Sequence, residues 1–120
     1  MAKRFNLETG KRGEELAKEH LQEKGYKIIE QNYRTRYGEI DLVCQHKKEL
    51  VLVEVRTKKG EDFGAPEDSL NQKKLRKIWL NALAYVGRKN WQGDYRVDAV
   101  CVVLGAGGEL ERLEHYQNII

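Results

Sequence analysis

Asp41 and Glu54 are the residues of this sequence best placed to do chemistry together. They lie in GEIDLVC and LVLVEVRTK, two apolar runs separated by a polar stretch. A tight loop centred on Lys47 and Lys48 pairs His46 with Glu49. Counting outward sets Val43 against Leu52, Leu42 against Val53 and Asp41 against Glu54. Directly opposed residues share a face, with Cβ atoms about 5 Å apart. Glu39 and Arg56 fall opposite each other on the same face. Two like charges so placed destabilise a sheet, and the apolar flanks leave little room for water to relieve them. A divalent cation is one answer, because Mg²⁺ favours carboxylate oxygens and keeps waters of its own. Arg56 is the other, because a guanidinium bridges two carboxylates. The second answer makes the cluster purely structural, and spacing alone leaves both open.

Glu14 is a candidate third carboxylate. It shares a helix face with Ala17 and Leu21 and leans toward whatever that face covers; the plain alternative is a boundary glutamate beside Arg12 or Lys18. Lys73, Lys74, Arg76 and Lys77 stand on the non-apolar side of a helix, where a solvated face is the ordinary reading and a phosphate contact the functional one. Lys58 follows the second run directly. Trp91, Tyr95 and Tyr116 have faces on which bases can stack, although aromatics near strand ends more often fill core or rim. His20, His46 and His115 have no ligand spacing. The GAGG at 105–108 lacks the lysine and hydroxyl of a phosphate-binding loop and reads as a turn.

The elements that must position these residues follow from periodicity. Residues 11–24 read as a helix stopped by Gly25. Strands are expected over 26–32, 39–45 and 50–57, the last rich in β-branched residues, with 46–49 as a turn. A loop over 58–67 carries Gly60, Gly64 and the one proline, Pro66. A long helix over 70–88 shows a stripe of Leu75, Ile78, Trp79, Ala82, Tyr85 and Val86. A buried strand over 96–104 and a short one over 109–116 close the chain. Three consecutive strands, a crossover helix and a fourth strand give an α/β fold: a mixed sheet with helices packed on it.

The 120 residues fit a single domain with one core. Charged residues make up 34% and the net charge is only +3, so bulk charge does not require nucleic acid. The clustering of Lys3-Arg4, Lys11-Arg12, Arg34 with Arg36, Lys58-Lys59, Lys73 to Lys77 and Arg88-Lys89 says more, provided several share a face. Cys44 and Cys101 sit in apolar runs without a partner at ligand spacing and read as buried thiols of a reducing compartment. MAKRFNLETG has no apolar core of signal-peptide length, and no run is long enough to span a bilayer. The expectation is a cytoplasmic protein with no membrane partner.

GKRGEELAKEHLQEKGYKIIEQNYR, YGEIDLVC, LVLVEVRTKK, FGAPEDSLNQKKLRKI and YRVDAV, in this order from Gly10 to about Val100, resemble the YraN family of small bacterial proteins. GEIDLV…VEV is the most specific part. That family is similar to archaeal Holliday-junction resolvases and to the PD-(D/E)xK restriction-endonuclease-like superfamily. The resemblance implies a restriction-endonuclease-like mixed sheet flanked by helices. It also implies a nuclease-type site in which Glu14, Asp41 and Glu54 hold Mg²⁺ or Mn²⁺. Position 56 departs from the pattern, with Arg56 where lysine is expected; an arginine stays charged and cannot act as a base. Lys58 or Lys73 is then a candidate source of an amine. The expected reaction is phosphodiester hydrolysis, with Asp41, Glu54 and Arg56 as the catalytic set, and Lys58, Lys73, Lys74 and Lys77 on the backbone of nucleic acid, DNA first. Branched DNA and a homodimer would suit the resemblance. A non-catalytic nucleic-acid-binding protein on the same fold, and a protein–protein adaptor with a structural carboxylate–arginine cluster, are the alternatives.

Overall fold

The computed structural model describes residues 2–120, and their side chains from Leu7 onward; the basic pair Lys3-Arg4 lies outside the described side chains. The elements run α1 (Ala2–Glu23), β1 (Lys27–Thr35), β2 (Gly38–His46), β3 (Glu49–Lys59), a 3-10 turn (Pro66–Ser69), α2 (Gln72–Arg88), β4 (Tyr95–Leu104) and β5 (Leu110–Tyr116). The five strands form one sheet in chain order. β3 and β4 are parallel and the other pairs antiparallel. This is the expected meander, followed by a helical crossover into a parallel strand. The mixed α/β sheet with a helix on each face is that of a restriction-endonuclease-like fold.

The apolar pattern of β3 explains why it is central. Val51, Val53 and Val55 pack with Ala17 and Leu21 of α1, while Leu50 and Leu52 pack with Ile78, Ala82 and Tyr85 of α2. A strand covered on both faces has no polar side to show, so it reads as a continuous apolar run. Each such side chain taken from water stabilises the fold by roughly 1.5–3 kcal/mol. α2 is capped by Asn71, whose side chain accepts from Lys74 N–H at 2.9 Å. Cys44 and Cys101 are buried free thiols, as expected, and burial pushes both up to about 12. Among the described residues no helix is long and apolar enough to cross a membrane.

Several boundaries differ from those expected. α1 begins at Ala2 rather than residue 11; Gly10 and Gly13 cost about 1 kcal/mol each in a helix and do not stop it. β1 continues past Asn32 to Thr35, with Asn32 held at φ 51. Asparagine tolerates that left-handed conformation, so a residue that suggested a strand end lies inside one. Lys58 and Lys59 extend β3 by pairing with Val103 and Leu104, which shortens the expected loop.

Candidate active site

The site lies where β1, β2 and β3 lose their regular pairing. The β2–β3 register runs from His46↔Glu49 to Leu42↔Val53, as counted from the hairpin, and ends there. Asp41 and Glu54 are next in line but do not form a ladder pair. Instead Asp41 Oδ2 accepts from Val55 N–H at 2.8 Å, doing the work of a strand carbonyl. The reason is a slip in alternation. Leu42 and Cys44 face α1 and Val43 faces α2, but Ile40 also faces α2. Asn32, beside Asp41 in the register between Gln31↔Leu42 and Tyr33↔Ile40, has its backbone turned left-handed at the same place. Two neighbouring strands therefore change phase together and turn Asn32 and Asp41 out of the pleat.

This step leaves a gap in the ladder at Asp41, where the charges of Glu54, Glu14 and Glu39 act on it. Glu54 is 7% exposed. Its Oε2 lies 3.3 Å from Arg56 Nη1 and 3.4 Å from Lys74 Nζ. Arg56 also donates through Nε to Ser69 Oγ at 2.7 Å. Asp41 has no such compensation: among the described residues its carboxyl accepts one hydrogen bond and has no lysine or arginine within salt-bridge range. Burial first, and then the neighbouring charge of Glu54, pushes its pKa well above the usual carboxylate range. Glu14 is also raised, by partial burial and then by Glu39 and Glu54, while a hydrogen bond from Asn32 opposes the shift. The expected Glu39–Arg56 partnership does not form. The broken ladder leaves Arg56 with Glu54 and Ser69, and Glu39 with Asn32 and Arg34.

Glu14 reaches the gap because α1 packs unusually close to β3. A Cβ built on Gly13 would stand 1.9 Å from Thr57 Oγ1 and 2.8 Å from Thr57 Cβ. Only a glycine permits that approach, and it sets the height of the next residue, Glu14. Asn32 Nδ2 then bridges Glu14 Oε1 at 2.8 Å and Glu39 Oε1 at 3.0 Å. Asn32 was not among the expected site residues. Its signal was a strand-poor, turn-tolerant amide inside an otherwise extended run, EQNYR.

The donors are all carboxylate oxygens, which suits Mg²⁺ or Mn²⁺. Among the described residues no three histidine, cysteine, aspartate or glutamate side chains converge as a ready-made cage. Mg²⁺ is commonly held by one or two carboxylates plus waters and substrate phosphate, so the uncompensated Asp41 beside Glu54 fits that need. Glu14 is held by Asn32 and lines the neighbouring cleft.

A cleft of about 530 Å³ opens alongside, lined by Thr9, Glu14, Arg56, Lys58, Phe63 and Ser69 among others. Of the expected phosphate-binding lysines, Lys58 lines this cleft and Lys74 meets Glu54. Lys73 and Lys77 are exposed on α2. Among the described residues, neither is joined to these carboxylates by an ion pair or hydrogen bond. The amine beside Glu54 is thus that of Lys74, not of Lys58 or Lys73. Trp91 and Tyr95 pack into the core under α2, and Tyr116 donates to Glu67 at 2.6 Å, so none of the three faces the carboxylate gap.

Comparison with known proteins places this geometry in a group. Residues 13–102 match the family described as "Uncharacterised protein family UPF0102". A UPF0102 protein of Syntrophomonas wolfei is 46% identical over 82 residues, covering 68% of this chain and 71% of its own. One of Herpetosiphon aurantiacus is 38% identical over 115 residues, covering 92% and 91%. One of Thermodesulfovibrio yellowstonii is 36% identical over 112 residues, covering 93% and 95%. The match begins at Gly13, where α1 meets β3, and spans every carboxylate of the gap. The chain belongs to the UPF0102 family, also called the YraN family.

Proposed function

We propose that the protein is a Mg²⁺- or Mn²⁺-dependent endonuclease that hydrolyses phosphodiester bonds in nucleic acid, DNA first. The observation that carries this reading is the uncompensated, buried Asp41 beside Glu54, whose ion-pair partner Arg56 lines a cleft together with Glu14 and Lys58. Asp41 and Glu54 would be the direct ligands, with Glu14 acting through water. The bound ion would supply Lewis-acid charge and lower the pKa of a water.

The chain's own residues have distinct parts. Val55 N–H fixes the orientation of Asp41. Ser69 holds the Arg56 guanidinium in the cleft, where its fixed positive charge can clamp a phosphate and stabilise charge that develops on it. Lys74 presents a compact ammonium, a point charge with three donors where a guanidinium offers a planar fork. Its position beside Glu54 restores from a helix the amine that position 56 lacks on the strand. Lys58 adds backbone attraction without base readout, so binding should weaken with salt.

The test is Mn²⁺-dependent cleavage of branched, duplex and single-stranded DNA, with Glu54→Ala as the blank. Lys74→Met should lower the rate about 10²–10³-fold, as expected for the loss of one preorganised donor to developing charge. Arg56→Ala should lose activity while keeping the fold. No cleavage above the blank on any substrate would sink the enzyme. It would leave the second reading, a nucleic-acid-binding protein without turnover, which the Arg56–Glu54 ion pair favours because it neutralises one ligand without any metal.

A further inference from the structure

Phe63 is 97% exposed, the most exposed large apolar side chain among the described residues. It lies on the wall of the cleft that contains Glu14, Arg56 and Lys58. The loop that carries it is braced. Arg112 of β5 holds Glu61 on one side of Phe63 at 3.3 Å and Glu67 on the other at 2.7 Å. Gly64 N–H closes back on Glu61 O at 3.1 Å, and Ala65 N–H bonds Asp68 Oδ2 at 3.0 Å. Gly60 at φ 74 and Gly64 at φ 109 make the two bends between these ties. The result is a single aromatic ring set in water on a fixed mount, next to two cations.

The geometry points to Phe63 as a stacking platform for an unpaired nucleobase, so that the substrate is nucleic acid with single-stranded character, such as a flap, fork or single strand. This rests on the nucleic-acid reading above and narrows it. Among the described residues no other exposed apolar side chain lines this cleft to make a protein interface with the ring, whereas a base has a π-face and brings a phosphate to Arg56 and Lys58. Inside a duplex both faces of each base are covered by its neighbours, so an isolated ring at a cleft wall gains contact only with a base that has left the stack. Loss of one such contact weakens binding by about 5- to 100-fold.

The experiment measures binding, not turnover. Oligonucleotides carrying 2-aminopurine are titrated with the full chain at low salt, with and without Ca²⁺, as single strand, 5′ flap and blunt duplex. The expected result has three parts. Wild type binds the single strand and flap more tightly than the duplex and quenches 2-aminopurine at one position. Phe63→Ala loses the quench and about 5- to 100-fold of the single-strand affinity while its duplex affinity holds. Phe63→Tyr keeps both. Equal affinity for all three forms with no effect of Phe63→Ala overturns the stacking role and leaves the nucleic-acid reading standing. No binding to any form, with or without Ca²⁺, overturns both. If Phe63→Ala alters only self-association in sedimentation, the ring is a protein contact and the inference falls.

Discussion

Asp41 and Asp98 are two aspartates withdrawn from water in one sheet, and their surroundings are opposite. Asp98 lies on β4 opposite Val53, the residue before Glu54, and is fully buried. It accepts from His115 Nε2 at 2.7 Å, from Arg96 Nε at 2.9 Å and from Asn118 N–H at 2.9 Å. Arg96 goes on to Glu49 and Tyr26, and Lys24 reaches His115 Nδ1 at 3.0 Å. Burial alone would raise Asp98, but the bonds from His115, Arg96 and Asn118 more than reverse that and hold its carboxyl below the usual range. Asp41 has one backbone N–H and a second carboxylate for company, and its carboxyl is pushed up. Compensated burial is structural: the Asp98 network pins the tail after β5 to the sheet, where Ile119 N–H also bonds Val97 O at 2.8 Å. Uncompensated burial leaves a need that a ligand can meet.

The largest expected effect would confirm the structural half of this contrast. Asp98→Ala removes the buried acceptor shared by Arg96, His115 and Asn118 and should cost about 3–5 kcal/mol in denaturant unfolding. A loss below about 1 kcal/mol would remove the distinction between the two aspartates. The next tests the other half. In chelator, Asp41→Asn should leave stability unchanged or raise it, because the amide oxygen still accepts from Val55 while the repulsion with Glu54 goes. With Mn²⁺ at a hundred times its Kd the wild type should gain about 2.7 kcal/mol and the variant nothing. Unfolding of Asp41→Asn in chelator would make the acidic cluster structural after all.

Gly13→Ala probes the contact that brings Glu14 to Asp41. Overpacking against Thr57 should cost about 1–3 kcal/mol, and Gly13→Ala with Thr57→Ser should not fully recover the fit, since Thr57 Oγ1 remains the closest atom. Unchanged stability would mean that α1 is free to lift off β3. The smallest effect is a pH limb that compensation alone, without deep burial, should produce. Arg112 first, and then Tyr116, hold Glu67 down at about 2. A lowered folded pKa contributes stability that is complete above the unfolded value near 4.5 and is lost as pH falls toward 2. Asp98 acts in the same direction. Glu67→Gln should therefore flatten part of the acid limb in thermal melts, and an unchanged limb would mean that Arg112 and Tyr116 do not hold this carboxylate.

Much of this was legible from residue order because hairpins are local. A two-residue turn at Lys47-Lys48 and alternating branched side chains are enough to count the register of β2 on β3 as far as Leu42↔Val53. The stripe of Ile78, Ala82 and Tyr85 likewise announces α2 and its buried face. The count failed at the next pair, Asp41 with Glu54, because it assumed that alternation continues. The phase slip depends on Asn32 adopting φ 51 one strand away and on Val55 N–H lacking a strand partner, neither of which is a property of GEIDLVC.

Three side chains of the molecule were placed only by tertiary structure. Lys74 was one of several basic residues on a helix, readable as solvated or phosphate-binding, and only the crossover from β3 through α2 sets it beside Glu54. Phe63 read as part of a loop, and only the two-sided grip of Arg112 from β5 shows that the loop is a mount. His115 had no ligand spacing, and it meets Asp98 only because β5 folds back along β4. The order of residues by itself determined which segments are strands and helices, which faces are apolar and which carboxylates flank the hairpin, since all of these follow from neighbours within a few positions along the chain. Which of two buried aspartates is neutralised and which is left wanting was decided only by tertiary structure, because the charges and N–H groups that settle it come from elements distant in the chain.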